Sequence, residues 1–499
     1  MISAYLHSVS EVIAELHERG FYADCSALVT DHRRLSGPQD VFLATPGASF
    51  DPRILADDLI REQRCGLVLV EHDDARVYQS ASVLPVLNLK TSLGELAKSY
   101  YGAPSDSLTV IAVTGTNGKT TVTRWLAQTL TALGRRAAVL GTLGYGAPES
   151  PRAHTGLTTP DVVGVHHTLH ALKREGFEAV CLEASSIGLE QRRLAGVTID
   201  WAVFTNFSQD HLDYHGTMEA YGQSKLILAS WPTLRGAVVN VDDDLGLRFA
   251  ETLQARQVAC TRVARRTQAD IRLLSQHHTS QGLQVELLAN GLQSLRFSAA
   301  VLGDFNADNL ALVTSLLLQL GHSPADIERA CTYISAAPGR METVGEAPCV
   351  VVDYAHTPDA LEKVLQALRP VAVARGGQLL VVFGCGGDRD RSKRPIMGRL
   401  AAELADQVVL TSDNPRSEEP ESILKEIASG VPATLLNKVR VDVNRVSAIE
   451  SAISGANSND VVLLAGKGHE TTQTIGAEVR QHSDVLCAKA ALAKRGHHA

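Results

Sequence analysis

The stretch Thr109–Thr120, TVIAVTGTNGKT, decides the fold. Five residues from Thr109 to Val113 read as a buried strand, and an apolar-periodic helix is expected over Thr120 to Leu133. Between them lie Thr114, Gly115, Thr116, Asn117, Gly118, Lys119 and Thr120. Strand, glycine-rich turn, G-K-T and helix are the parts of a phosphate loop. Glycines let successive backbone N–H groups face one anion, the helix N-terminus adds partial positive charge, and lysine supplies a point charge. Thr120 would present its hydroxyl to Mg²⁺. The usual spacing is G-x-x-x-x-G-K-[ST], and Val113 stands where its first glycine belongs, so the loop is a shortened variant. The bland alternative is a glycine turn with an exposed lysine.

Outward from this loop the chain alternates strand and helix. Strands are expected at Ala137 to Leu140, Ala179 to Glu183, Trp201 to Phe204 and Gly236 to Val241, which implies right-handed βαβ units and a parallel sheet. Residues 268 to 299 change to short alternating runs, expected as an antiparallel patch. Helices Asn306 to Leu320 and Pro324 to Ile334 follow. Strands at Cys349 to Asp353, Leu379 to Phe383, Gln407 to Thr411 and Val461 to Ala465 form a third α/β unit. Before the loop, Val41 to Ala44 and Gly66 to Val70 alternate with helical patterns such as Ile54 to Gln63. Turn-formers from Tyr100 to Ser107 and at Ala336 to Gly339 mark the two breaks. The expected architecture is α/β in three domains: a small N-terminal α/β domain (1–105), a central P-loop-type domain (106–336) and a C-terminal Rossmann-like domain (337–499). Such sheets bind ligands outside the carboxyl ends of their strands.

A length of 499 residues suits about three domains. Apolar residues at 44% and charged residues at 20% exclude global disorder. Forty-seven basic against 55 acidic residues give a net charge of −8, which works against non-specific nucleic-acid binding. The eight cysteines are scattered without a C-x-x-C, which argues against a zinc ribbon or disulfide framework and suits a reducing compartment. The opening MISAYLHSVSEVIAELHERG reads as an amphipathic helix, and no apolar run approaches a membrane span. A cytoplasmic location is expected.

Several residues after predicted strands carry chemistry. Glu183 and His211 are suitable oxygen and nitrogen ligands for Mg²⁺, although spacing alone favours capping or solvated residues. Lys225 follows Tyr221 by four residues on a predicted helix, so both face one side; an exposed lysine is the simpler reading. Asp413-Asn414-Pro415-Arg416 follows a strand, and its proline stiffens the turn that carries the arginine. A guanidinium fork grips a carboxylate through two parallel hydrogen bonds.

The wording TGTNGKT resembles the nucleotide loop of the Mur ligase family. The resemblance continues through GLTTP (156–160), EASSIGLEQRR (183–193), TNFSQDHLDYHGTMEAYGQSK (205–225), GDFNADNL (303–310), PGRME with DYAHTPDALEK (338–363), GCGGDRDRSKRP (384–395), DNPR (413–416) and AGKGHE (465–470). It spans about residues 25 to 475. It implies an ATP-dependent ligase, working through an acyl phosphate in peptidoglycan precursor synthesis. The D-N-P-R wording resembles the branch that adds meso-diaminopimelate to UDP-MurNAc-L-Ala-D-Glu. The implied cofactors are ATP, Mg²⁺ and CO₂, the last as a carbamate on Lys225. The implied partners are these small molecules, with the protein a monomer.

By the same resemblance, Gly115 to Thr121, Asn309, Arg340 and Asp353 would contact ATP. Thr120 and Glu183 would hold one metal ion, with His211 and carbamylated Lys225 near a second, and Lys119, Glu183, His211 and Lys225 would serve catalysis. Thr30, His32, Thr158, Thr159, Ser185, Gln191 and Arg193 would meet the muramyl peptide. Arg389, Asp413, Asn414, Pro415, Arg416, Gly466 and Glu470 would meet diaminopimelate, while His356 has no assigned role. The chain departs from the family at His32 (usually serine), Pro52 (glycine), Leu157 (asparagine) and Ile187 (histidine). A lysine-adding or folylpolyglutamate synthetase-like ligase is the runner-up. A P-loop kinase or motor ATPase and an ATP-regulated scaffold are the readings from other classes.

Overall fold

The computed structural model describes residues 5–47, 50–73, 75–152, 156–279, 282–289 and 294–496. Its described residues form two compact units. The first takes in Met1–Thr114, Gly134–Ala202 and Ile227–Gly236, and the second Gly115–Leu133, Val203–Leu226 and Ala237–Ala499.

In the first unit, Leu28–Val29, Val41–Ala44, Leu67–Glu71 and Val83–Val86 make a four-stranded sheet in that order, all parallel. Helices Val9–Glu18 and Leu89–Tyr100 bring Val12, Leu16, Leu89 and Leu96 into one core with Leu43 and Leu69. Thr109–Thr114 pairs parallel with Ala179–Glu183, which pairs parallel with Ala137–Gly141. Val110 to Val113 are fully buried, as a parallel strand covered on both faces must be. The register sets Val113 opposite Glu183, so that carboxylate lies at the carboxyl end of its strand.

The expected break at Tyr100 to Ser107 is not a loose linker. Tyr100, Tyr101, Pro104 and Ser105 are buried. The Tyr101 hydroxyl accepts the Leu28 N–H at 3.1 Å, and the Ser105 hydroxyl accepts that of Thr198 at 3.0 Å. The turn-formers mark a tight packed corner: Gly102 and Ala103 are left-handed, and Pro104 starts a short 3-10 helix. The run Ile54 to Gln63 likewise splits, into a 3-10 turn Pro52–Leu55 and a helix Ala56–Arg61.

In the second unit, helix Lys119–Ala132 follows the glycine loop. Ile271–Thr279, Gly282–Ala289 and Leu295–Ala299 form the expected antiparallel patch. Helices Phe305–Gln319 and Pro324–Cys331 follow. A six-stranded sheet runs in the order Glu342–Glu346, Cys349–Asp353, Val461–Ala465, Leu379–Phe383, Gln407–Leu410 and Val439–Val441. Only its first pair is antiparallel. Val351, Val381 and Leu463 serve the core on one face, and Val350, Val382 and Leu464 the core on the other. Both faces are therefore filled, and polar chemistry is pushed to the carboxyl ends of the strands.

Candidate active site

The glycine loop is built around two close approaches. A Cβ on Gly115, at φ +144°, would lie 1.9 Å from the Thr205 hydroxyl; one on Gly118, at φ +89°, would lie 2.6 Å from Asn309 Oδ1. The Thr116 N–H donates to Asn206 O at 2.8 Å and the Asn117 N–H to Asn206 Oδ1 at 3.0 Å. Lys119 Nζ folds back onto the carbonyls of Gly115 (2.9 Å) and Thr116 (2.8 Å). Thr120 and Thr121 are buried in the first helical turn. Gly118 at the N-cap brings no side chain to that turn.

A cavity of about 390 Å³ opens beside this loop, within the size range of small-molecule sites. Asn117, Gly118 and Thr121 line it together with Asn309, Arg340 and Asp353. The structure thus brings together residues that lie far apart in the chain. Asn309 donates to Asn306 Oδ1 at 3.0 Å. The Arg340 guanidinium lies 4.4 Å from the Tyr354 ring centroid. Asp353 accepts the N–H groups of Met341 and Ala355, both at 2.7 Å. Burial raises its carboxyl above the ordinary range, against the pull of Arg340.

Lys225 lies on helix Met218–Ala229, and its side chain is fully buried. Its Nζ donates to Gly115 O at 2.7 Å and sits 4.4 Å from the Tyr221 ring centroid, so the expected shared face is real and the exposed-lysine alternative is not. Burial, then the nearby Lys119 charge, pull its amine well below the ordinary lysine range. Burial also lowers the His211 imidazole, to about 4, with Lys119 and Lys225 adding to the effect and Asp210 opposing it. His211 is therefore neutral at pH 7. Burial raises the neighbouring Asp210, yet the charges around it, Lys393 among them, and the His211 N–H that donates to its Oδ1 at 2.9 Å outweigh that and hold it low.

In the first unit the predicted muramyl-peptide residues gather around Glu183. Its Oε1 accepts the Thr142 N–H at 2.8 Å and its Oε2 the Thr142 hydroxyl at 3.1 Å, while that hydroxyl also lies 3.1 Å from the Thr158 hydroxyl. Thr159 donates to Glu183 O at 2.7 Å and lies 2.9 Å from the Ser185 hydroxyl. Arg193 donates to Thr159 O and holds Gln191 Oε1. A Cβ on Gly141 would lie 2.2 Å from Glu183 Oε1, so glycine there makes room for the carboxylate. Thr30 and His32 stand apart from this group along the chain. Thr30 follows the strand Leu28–Val29, and the His32 ring lies 6.0 Å from that of Phe50.

A second cavity, of about 160 Å³, holds Arg389, Asp413, Asn414, Arg416, Gly466 and Glu470 together. Asp210, His211, Asp213, His356 and Lys393 also line it. Arg389 pairs with Asp213 at 3.1 Å, and Arg416 Nη1 donates to Gly387 O at 2.7 Å. Pro415 precedes Arg416, whose backbone is left-handed at φ +54°.

A hairpin absent from the sequence reading, Thr472–Ile475 with Glu478–Gln481, pins this turn. The Arg416 N–H donates to Thr474 O at 3.1 Å, the Thr474 N–H to Asn414 Oδ1 at 3.0 Å, and Gln473 Nε2 to Asp413 O at 2.7 Å. Lys467 was missed as well. It sits inside the quoted A-G-K-G-H-E, whose lysine is the one long cation between two glycines. Among the described residues no three His, Cys, Asp or Glu side chains form a ready-made metal cluster, and no helix is long and apolar enough to cross a membrane.

Comparison with known proteins finds relatives along most of the chain. The Mur ligase middle domain matches residues 113–317, and the Mur ligase, glutamate ligase domain matches residues 339–468. The chain is 43% identical over 482 residues to the UDP-N-acetylmuramoyl-L-alanyl-D-glutamate--2,6-diaminopimelate ligase of Acidovorax sp. (strain JS42), covering 94% of this chain and 95% of that protein. It is 44% identical over 473 residues to the protein of the same name from Pseudomonas putida, covering 91% and 92%. A solved structure of a ligase of that name, 33% identical, superposes with a TM-score of 0.65 over 94% of this chain and 95% of that one. The MurF ligase from Thermotoga maritima in complex with ADP, 19% identical, covers 96% and 99% with a TM-score of 0.66 and shares the fold.

Proposed function

The chain belongs to the Mur ligase family, and from that premise we propose that it joins meso-diaminopimelate to UDP-MurNAc-L-Ala-D-Glu at the expense of ATP, in the assembly of a peptidoglycan precursor. The observation that carries the choice of amine is the second cavity. Two guanidinium groups, Arg389 and Arg416, line it beside the carboxylates Asp413 and Glu470, which suits an amino acid whose far end carries both a carboxylate and an ammonium. Lysine offers only the ammonium.

In the proposed reaction a substrate carboxylate oxygen attacks the γ-phosphorus and ADP leaves. The incoming amine then attacks the carbonyl of the acyl phosphate, loses a proton, and inorganic phosphate departs. Negative charge builds at both steps, so fixed cations and dipoles matter more than a protein nucleophile. Lys119 and the backbone of Gly115 to Thr121 would hold the β- and γ-phosphates, Asn309 the adenine, and Arg340 and Asp353 the rest of the nucleotide. Thr158, Thr159, Ser185, Gln191 and Arg193 would hold the muramyl peptide, with Thr30 and His32 toward the uridine. We assign 1–105, 106–336 and 337–499 to the uridine-nucleotide, ATP and amino-acid domains.

Mg²⁺ would neutralise phosphate charge when bound. Its fit to the donors can be judged from their chemistry: the Thr120 hydroxyl and a neutral His211 bring no charge, and Glu183 is already engaged by Thr142. A carbamate on Lys225, whose amine burial holds well below the ordinary lysine range, would supply the anionic oxygen donor that a hard cation needs. The test is ADP release with UDP-MurNAc-L-Ala-D-Glu against a panel of free amino acids. Diaminopimelate should be strongly preferred; release with lysine at the same rate would overturn the assignment.

A further inference from the structure

The wall of the amino-acid cavity is organised from behind by a residue outside the predicted set. Lys467 is fully buried, and its Nζ donates to Asn414 Oδ1 at 3.1 Å and to Glu470 Oε2 at 2.8 Å. Asn414 Oδ1 also accepts the Thr474 N–H at 3.0 Å. Two donors on one oxygen fix which way the amide points, since a flipped amide would set its NH₂ against both. Asn414 Nδ2 is thereby aimed at Glu470 Oε2, to which it donates at 2.9 Å. Glu470 Oε2 thus takes hydrogen bonds from both Lys467 and Asn414, which holds the carboxylate in one orientation with Oε1 as its other acceptor.

We infer that Lys467 is a positioning residue for amino-acid selection: by fixing the Asn414 amide and the Glu470 carboxylate, it presents a donor and an acceptor in set places for a ligand end bearing one carboxylate and one ammonium. The inference rests on the diaminopimelate reading above and deepens it. Without Lys467 the amide is free to flip, and Glu470 loses a charge-assisted partner. The cavity then keeps its residues and loses their arrangement. A merely structural lysine would instead weaken the whole enzyme evenly.

The test compares full-length wild type with Lys467→Met, which keeps the length of the stem and removes the donor. KM is measured separately for diaminopimelate, ATP and UDP-MurNAc-L-Ala-D-Glu, together with the preference for diaminopimelate over 2-aminopimelate, which lacks the distal ammonium. The diaminopimelate KM should rise roughly 10- to 100-fold, the scale of a lost charge-assisted hydrogen bond. The preference over 2-aminopimelate should fall about tenfold or more, and the other two KM values should stay within about threefold. Should Lys467→Met fail to fold, Lys467→Gln retains a neutral donor and should show the same pattern at smaller amplitude.

A folded variant with unchanged amino-acid KM and unchanged preference overturns the inference, as does a parallel rise in all three KM values. A wild type that ignores diaminopimelate overturns the functional reading alone. The same measurements then use whichever panel amine the enzyme accepts, and the amine KM should still be the one that moves.

Discussion

Gly118 and Gly134 share nearly the same left-handed backbone, at φ +89° and +88°, yet differ in what a methyl group would meet. At Gly134 nothing described lies within 4 Å, whereas at Gly118 the new Cβ would stand 2.6 Å from Asn309 Oδ1. Alanine at either position costs about 1–2 kcal/mol for the left-handed conformation. At Gly118 the Asn309 amide must also retreat by roughly 0.8 Å to reach ordinary contact. Asn309 is buried and anchored to Asn306 at 3.0 Å, so that retreat strains or breaks a hydrogen bond worth about 1 kcal/mol. Both variants should therefore lose similar stability from backbone strain, but only Gly118→Ala should displace a side chain of the proposed nucleotide cavity. We expect its ATP KM to rise about five- to tenfold, at 1.4 kcal/mol per factor of ten, with that of Gly134→Ala unchanged. Urea denaturation of both variants alongside ATP-dependent kinetics separates the terms. Equal ATP KM values for the two would refute the link between Gly118, Asn309 and the nucleotide.

Lys119→Ala should reduce ligation to below roughly a tenth of wild type with the fold intact, because a positioned cation on the phosphates is lost; circular dichroism and ADP release check both halves. Lys225→Ala should lose most activity and regain part of it when a short-chain carboxylic acid is added, since an exogenous carboxylate stands in for a carbamate and has nothing to replace for an ordinary lysine. Asp484→Asn addresses stability. Asp484 is fully buried against Arg445 at 2.6 Å and beside His482 at 2.7 Å. Burial raises its carboxyl, but Arg445 and then His482 outweigh that and hold it far below the ordinary carboxylate range. A depressed carboxyl stabilises the fold above its unfolded pKa, near 3.9, and that stabilisation is lost as pH falls toward the folded value. At pH 7 the variant should lose about 3–5 kcal/mol, the cost of stranding a buried partner charge. The gap to wild type should narrow below about pH 4 in urea titrations.

What the sequence made legible follows from how each element is stabilised. Ala179–Glu183, Trp201–Phe204, Cys349–Asp353, Leu379–Phe383 and Val461–Ala465 were readable to the residue, because strands buried on both faces are near-continuous apolar runs. The hairpin Thr472–Ile475 with Glu478–Gln481 was not, since its polar residues alternate weakly and its chief contribution is backbone N–H and C=O groups offered to Asn414 and Arg416. Tyr100 and Tyr101 misled in the opposite direction: they neighbour turn-formers yet are buried, with both hydroxyls hydrogen-bonded. Spacing placed Lys225 beside Tyr221 correctly, but burial is a property of what folds over a helix. Asn309, Arg340 and Asp353 required the family resemblance, since nothing local to any of them says that they meet Asn117 and Gly118 around one cavity.

The two lysines at the loop show why this arrangement suits anionic chemistry in a chain of net charge −8. Lys119 Nζ and Lys225 Nζ both donate to the same carbonyl oxygen, that of Gly115, at 2.9 Å and 2.7 Å. Two ammonium groups gathered on one oxygen repel each other, and the fully buried one has no water to relieve it. Burial and the Lys119 charge therefore loosen the hold of Lys225 on its proton, while the half-buried Lys119, at the start of its helix, would serve as the point charge toward phosphate. The same arrangement would suit a carbamate at Lys225, since the anion formed would be attracted by the Lys119 charge that had opposed the ammonium. A pair of like groups driven apart in protonation is a common way to obtain two roles from one residue type. Replacing Lys119 by a neutral residue should thus weaken the bias at Lys225 as well as phosphate binding, so the two substitutions should be non-additive in a double-mutant cycle. Strict additivity of Lys119→Ala and Lys225→Ala would mean that the shared carbonyl couples nothing.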